Sequence, residues 1–228
     1  MAARELLPAP AVTLHRNAEE PSESLFRQPG RKLLHVGCGP YRKADVQSGL
    51  WGNGWREVRL DIDPAVQPDI AASMLDMSTV PDASVDVVYS SHNVEHLYPH
   101  EVPTALAEFL RVLKPAGFLL LTCPDLQSIC RLIAEDNLDQ PAYMSPAGAI
   151  TPHDVLYGYQ PQLAAGNLFM AHHTGFTLKT LMQIIRTAGF RSVAGQRREA
   201  AFALWVLATK SPIPDEELQH LAKEHFPP

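Results

Sequence analysis

Three groups of residues in this chain have types and spacings that chemistry could use. The first is Gly37-Cys38-Gly39 with Asp61, which follows Gly39 by 22 residues. Glycines in a tight turn let a ligand approach the backbone and leave N–H groups free to bind it. A carboxylate at about this distance beyond such a turn can accept both ribose hydroxyls of a nucleoside. The second group is His92-Asn93-Val94-Glu95-His96, with His100 four residues further on. HxxEH is a zinc peptidase pattern, and on one long helix His92 and His96 would share a face and could bind zinc. The third group is His153, Asp154, His172 and His173, in a stretch rich in proline and glycine. Histidines of this kind suit proton transfer near neutral pH.

Those residues need elements to hold them. Lys32-Leu33-Leu34-His35-Val36 is a buried strand that runs into the glycine turn. Glu57 to Asp63 reads as a second strand stopped by Pro64. Val85 to Ser90 is a third and Phe118 to Cys123 a fourth. Between these last two, Val102, Leu106, Phe109 and Leu113 lie at helical spacing, with Pro103 tolerable in the first turn. Asp125 can cap a further helix, and Thr177 one that ends at Gly189. Two strands follow, around Phe190–Arg197 and Ala201–Thr209. The expected fold is therefore α/β, with a doubly wound, Rossmann-like, mostly parallel sheet of seven strands and an antiparallel edge strand. In such sheets ligands bind beyond the carboxyl ends of the strands. The glycine turn, Asp61 and His92 all fall at expected carboxyl ends.

Composition excludes other classes. Lys plus Arg is 19 against 25 Asp plus Glu, a formal charge of −6, and there is no basic stripe. That disfavours binding nucleic acid through its phosphates. Three cysteines do not make a secreted disulfide framework, and no run approaches the ~20 apolar residues of a membrane span. A cytoplasmic protein with reduced thiols is expected. Proline is abundant, at 20 of 228 residues. It crowds residues 1–30, expected as a flexible arm, a tail at 212–228 expected as a short surface helix, and an insertion at about 138–175. Aromatic residues and histidines in the insertion make it a lid over a domain spanning 31–211. Trp51 and Trp55 fall in a segment poor in helix character and are expected to pack there.

A dinucleotide fingerprint would carry a third glycine, and Pro40-Tyr41-Arg42 stands there instead. This disfavours a nicotinamide dinucleotide and favours a nucleoside without a pyrophosphate. The stretches LLHVGCGP, RLDIDP, LDMSTVPDASVDVVYSSHNVEHL and FLRVLKPAGFLLLTCPD resemble the successive motifs of class I S-adenosylmethionine-dependent methyltransferases. The likeness runs over about residues 32–126. It is nearest to the type 11-like, predicted methyltransferases with an sHxxEHL element. The resemblance implies S-adenosyl-L-methionine as cofactor, S-adenosyl-L-homocysteine as product, and roles for individual residues. Gly37 and Gly39 would give room to the methionine and ribose. Asp61 would hold the ribose, Ile62 would pack on the adenine, and Asp76 with the Met77 amide would meet the adenine edge. The backbone near Ser91 and His92 would meet the methionine ammonium. Cys38 lines the same turn as a small filler. His35 stands where these enzymes usually carry an acid, two residues before the first glycine.

Methyl transfer needs an oriented nucleophile, exclusion of water and sometimes a base. His92, His96 and His172 are the candidates for that base. No metal is expected at the HxxEH pattern, because it follows directly on a strand, Pro99 and Pro103 limit any helix, and no distal third ligand stands out. The acceptor is expected to be a small molecule, with a carbohydrate-related one in view. The alternative is a non-catalytic protein of this fold that binds S-adenosylmethionine or a nucleoside.

Overall fold

Apolar residues alternating with a period of two, interrupted by amphipathic helices, give a layered α/β fold. The structure, a computed structural model, describes residues 21–42 and 54–227. It begins with α1 (Pro21–Arg27), β1 (Arg31–Val36), β2 (Trp55–Asp61), β3 (Ile70–Ala71) and β4 (Val85–Ser91). Then come α2 (Val102–Val112), β5 (Leu113–Pro124), α3 (Leu126–Ala134) and a hairpin of β6 (Tyr143–Ser145) and β7 (Gly148–Ile150). The chain closes with α4 (Pro152–Tyr157), α5 (Gln160–Ala164), α6 (Leu178–Thr187), β8 (Ser192–Arg198), β9 (Ala203–Thr209) and α7 (Asp215–His225).

Seven strands form one sheet in the order β3-β2-β1-β4-β5-β9-β8. β1 pairs in parallel with β2 on one side and β4 on the other, so the strand order reverses at β1. β9 runs antiparallel to both β5 and β8, one place in from the edge. The expected Rossmann-like, mostly parallel sheet of seven strands is present. The seventh strand, β3, has only two residues, too few to leave a period in the sequence.

Each strand divides its side chains between two cores, as the pleat requires. Leu34, Val36, Val58, Leu60, Val88, Leu119 and Leu121 face the larger core, where Leu106 and Phe109 of α2 and Leu181 and Ile185 of α6 meet them. Leu33, Val87, Tyr89, Phe118, Leu120, Trp205 and Leu207 face the smaller one. Trp55 packs there too, with the Arg31 guanidinium 3.6 Å from its ring centroid. Trp51 lies outside the described residues.

Residues 21–27 and the tail from Asp215 are more integrated than the proline count suggests. Residues 1–20 lie outside the described part, but residues 21–27 form α1, and Phe26 is buried in the larger core. The expected surface helix of the tail is α7, and its inner side covers the smaller core. Leu218, Leu221 and Phe226 pack against that core, and His225 stacks on Phe118 at 5.0 Å between ring centroids. Without α7, this face of a central sheet would meet water. The region 138–175 is likewise ordered, as a hairpin, two short helices and a 3-10 turn at Leu168–Met170.

Truncating Phe226 tests whether α7 belongs to the fold. Phe226→Ala should cost about 2 kcal/mol, a drop of about 4–8 °C in Tm. An unchanged thermal unfolding curve would mean that the helix does not contribute to the core.

Candidate functional site

The turn after β1 is built by backbone that only glycine adopts readily. Gly37 and Gly39 have φ of +65° and +52°. The Gly37 N–H donates to the Leu60 carbonyl at 2.8 Å, and the Gly39 N–H donates to Asp61 Oδ2 at 2.7 Å. Asp61 Oδ1 accepts from the Asp63 N–H at 2.9 Å. A carboxylate has about four lone-pair sites, so Asp61 shapes the turn and still has acceptor capacity left. Ile62, next in the chain, is half exposed. Cys38 is buried, and burial pushes its thiol up to about 11, which keeps it protonated and inert.

Arg59 was not singled out from the sequence, yet it holds this turn. It is buried, and its guanidinium donates to the carbonyls of Gly39 (2.6 Å), Tyr41 (3.2 Å), Val66 (3.3 Å) and Gln67 (2.8 Å). Asn93 was also missed. Its side chain fills the space that a Cβ on Gly37 would need, 2.2 Å from where that atom would lie. Its Nδ2 reaches Ser90 Oγ at 3.4 Å and Met74 Sδ at 3.7 Å. The turn after β1, the loop before β4 and the end of β4 therefore meet at one amide. The only sequence signal for Asn93 was its place just past the strand.

The loop carrying Asp76 is fastened from below by α2. Glu108 and Arg111 pair at 2.7 Å, and Arg111 donates to the carbonyls of Met77 and Val80 and to Asp82. Asp76 itself is exposed, and hydrogen bonds from the Ser78 side chain and backbone hold its carboxyl below the usual range. Met77 is fully buried, and its amide donates to Glu108 Oε2 at 2.7 Å. That corrects the expectation of a free Met77 amide at the adenine edge, because Glu108 already uses the donor.

The histidines are at the mouth of β4, but not on one helix. His92 takes a left-handed φ of +49°, rare for a residue with a side chain, and Val94–His96 is a single 3-10 turn. His92 is half exposed, and its Nδ1 stands 3.5 Å from Oε1 of Glu95. Glu95 is 1% exposed, and neither of its carboxylate oxygens accepts a hydrogen bond. Burial pushes its pKa up, but the proximity of His92 and the charges of His92, His96 and His172 outweigh this and leave it below the ordinary value.

His172 arrives from the insertion, and its ring lies edge-on to His96 with centroids 4.8 Å apart. Burial pushes its pKa down. The backbone ties the two segments together, since the His173 and Thr174 N–H groups donate to the Glu95 carbonyl at 2.9 and 3.2 Å. His173 stacks on Tyr98, and His153 faces Asp139 at 3.6 Å away from the cluster. Asp154 serves α4, where it completes a capping box with Thr151 and accepts from the Gln160 N–H at 2.9 Å. Burial raises its pKa, but these hydrogen bonds win and leave it lowered.

Between these parts lies a pocket of about 270 Å³. Glu95, Pro124 and Leu126 line one side, and Val155, Tyr157 and His172 of the insertion line another. It opens at the carboxyl ends of β4 and β5.

An open sheet with its strand order reversed at β1, a glycine turn at that point and an acid at the next strand end define a nucleoside-binding α/β domain of the Rossmann type. Comparison with known proteins narrows this. Residues 34–121 match a family model described as a methyltransferase domain. A protein of Mycolicibacterium smegmatis described as a probable S-adenosylmethionine-dependent methyltransferase is 33% identical over 108 residues, 43% of this chain and 40% of that protein. The malonyl-[acyl-carrier protein] O-methyltransferase of Serratia marcescens is 30% identical over 109 residues, 41% of this chain and 38% of that protein. The matches thus span about two fifths of these relatives.

Among solved structures, a SAM-dependent methyltransferase of Methanosarcina mazei aligns over 85% of this chain and 98% of its own, at 18% identity and a TM-score of 0.53. The 1,6-didemethyltoxoflavin-N1-methyltransferase of Burkholderia thailandensis, with S-adenosylhomocysteine bound, aligns over 85% of this chain and 78% of its own, at 18% identity and a TM-score of 0.52. Over residues 34–121, these likenesses support a class I S-adenosylmethionine-dependent methyltransferase domain. Among the described residues, no helix is long and apolar enough to cross a membrane.

The contact between Gly37 and Asn93 makes a double-mutant prediction. Gly37→Ala should destabilise the protein by about 2 kcal/mol, from a clash and a left-handed φ. Adding Asn93→Ala should return part of that loss, because it removes the clash but not the strain. Additive effects in thermal unfolding would show that the two residues do not share this space.

Proposed function

We propose that the protein transfers a methyl group from S-adenosylmethionine to a small-molecule acceptor held in the pocket beneath the insertion. The observation that carries this reading is the unspent acceptor capacity of Asp61 beside the open face of Gly39. A Cβ on Gly39 would meet nothing nearer than Tyr41 at 3.8 Å, so a ligand has room at the backbone. The residues present fit the cofactor. Asp61 takes the ribose hydroxyls, the exposed face of Ile62 packs on the adenine, and the exposed Asp76 carboxylate accepts from the adenine amino group. The Cys38 side chain fills the turn beneath. Carbonyls near Ser91 and His92 meet the methionine ammonium. When bound, the cofactor supplies a methyl group made electrophilic by positive sulfur.

The chain's own residues then orient the acceptor and keep out water. The segment 171–174, bonded through its backbone to the Glu95 carbonyl, closes one side of the pocket. A volume of about 270 Å³ suits a small molecule rather than a polymer chain. His92 is open to solvent on one side and steadied by Glu95 on the other, a suitable post for relaying a proton from a hydroxyl or amine acceptor. A carbohydrate-related acceptor would meet Tyr157, His172, His173 and Thr174 within an otherwise largely apolar lining.

Calorimetry with S-adenosylhomocysteine checks the cofactor half of the proposal. The wild type should bind it with micromolar affinity, and Asp61→Ala should lose at least a hundredfold, since two hydroxyls lose their acceptor. Equal affinity in the variant would remove Asp61 from the site. Consumption of the methyl donor with a pool of small metabolites checks the transferase half, and its absence would leave a binding protein.

A further inference from the structure

The strongest feature outside the cofactor turn is the cluster at the mouth of β4. Glu95, His96 and His172 each offer one ligand atom, and these atoms all lie within 4.8 Å of one another. We infer that they form a binding site for a first-row divalent cation, with zinc as the best match, which fastens the insertion to the end of β4.

Four observations carry this. First, Glu95 is a carboxylate 1% exposed with no hydrogen bond to either oxygen. His92 Nδ1 stands 3.5 Å from Oε1, too far for a close hydrogen bond, so the buried carboxylate keeps acceptor capacity that a cation would use. Second, both histidine tautomers are set by the backbone. His96 Nδ1 lies 3.0 Å from the Ala171 carbonyl, and His172 Nδ1 lies 2.7 Å from the Val155 carbonyl. A carbonyl only accepts, so both Nδ1 atoms carry the proton, and both Nε2 atoms present a lone pair. This is how metal-binding histidines are commonly fixed by outer partners. Third, one carboxylate and two imidazoles are a donor set used by zinc and its first-row neighbours, whereas calcium and magnesium prefer all-oxygen sites. Fourth, Glu95 and His172 line the pocket, so a cation there would keep a coordination position facing it.

The site differs from the one the HxxEH pattern suggests. His92 takes no part in the set of three, and the distal ligand missing from the sequence is His172, 76 residues beyond His96. A bound ion would draw the donors to about 3.3 Å apart, the spacing that bonds of ~2.0 Å impose in a tetrahedron. That movement is small, and it pulls the segment 171–174 toward the 3-10 turn at Val94–His96. Cation binding does not depend on the methyl-transfer reading.

The test is titration of Zn2+ into chelator-treated, tag-free protein, followed by calorimetry. The wild type should bind one equivalent, and its Tm should rise with free Zn2+ as linkage requires. His172→Gln and Glu95→Gln should each weaken binding at least tenfold, while His153→Gln, at a half-exposed histidine of the same insertion, should not. Should His172→Gln fail to fold, His96→Gln serves in its place. Binding by all variants within tenfold of the wild type, or no binding by the wild type, would overturn the site. S-adenosylhomocysteine affinity, measured on the same samples, reports separately on the cofactor site.

Discussion

A buried guanidinium holds the active edge of this sheet in shape. Arg59 sits near the end of β2 and donates to carbonyls on both flanking loops, at Gly39 and Tyr41 on one side and at Val66 and Gln67 on the other. Among the described residues it has no carboxylate ion-pair partner, and a buried cation is tolerable when its donors are spent on well-placed acceptors. Here they are spent on peptide oxygens that would otherwise be orphaned by the irregular backbone of the loops. The glycine turn can therefore take its left-handed conformations without collapsing onto Asp61. Asp61 in turn accepts from the Gly39 and Asp63 N–H groups and keeps the acceptor capacity on which the proposed function rests. On the neighbouring loop Glu108 and Arg111 do the same work from α2, capping the backbone of 77–80 and leaving Asp76 outside.

Legibility in the sequence follows from how each device is encoded. The strands, α2 and α6 were readable because burial imposes a period on them. Gly37, Gly39 and Asp61 were readable because a turn at a strand end needs particular residue types at a particular spacing. Arg59, Asn93, Glu108 and Arg111 were not. Each acts through a side chain that reaches backbone or a neighbouring side chain across a loop, and no spacing rule records such a reach. The helix α7 was itself legible between prolines, but its packing over the smaller core through Leu218, Leu221 and Phe226 was not. β3, at two residues, has no period to see.

The histidines show the limit most clearly. The pattern HxxEH suggested one helix with two ligands on a face. The chain instead turns through a left-handed residue at His92 and makes a single 3-10 turn, so that the pair is separated. What brings chemistry together is a contact between residues far apart in the sequence, made by backbone bonds from His173 and Thr174 to Glu95. Such a pairing depends on how a long insertion packs, which is decided by tertiary contacts.

Glu95 is the residue whose placement is hardest to explain by stability alone. A carboxylate with both oxygens buried and unbonded costs more than any apolar residue of similar size would, and packing gives no reason to prefer it. Departures of this kind are tolerated where function compensates for them. Glu95 lies at the seam between the carboxyl end of β4 and the insertion, three residues after His92, which is held at positive φ. Strain at His92 and the buried carboxylate of Glu95 lie three residues apart, and Glu95 lines the pocket. The fold keeps a negative charge there beside the His92 ring at 3.5 Å, with carboxylate oxygens still open to the cation inferred above.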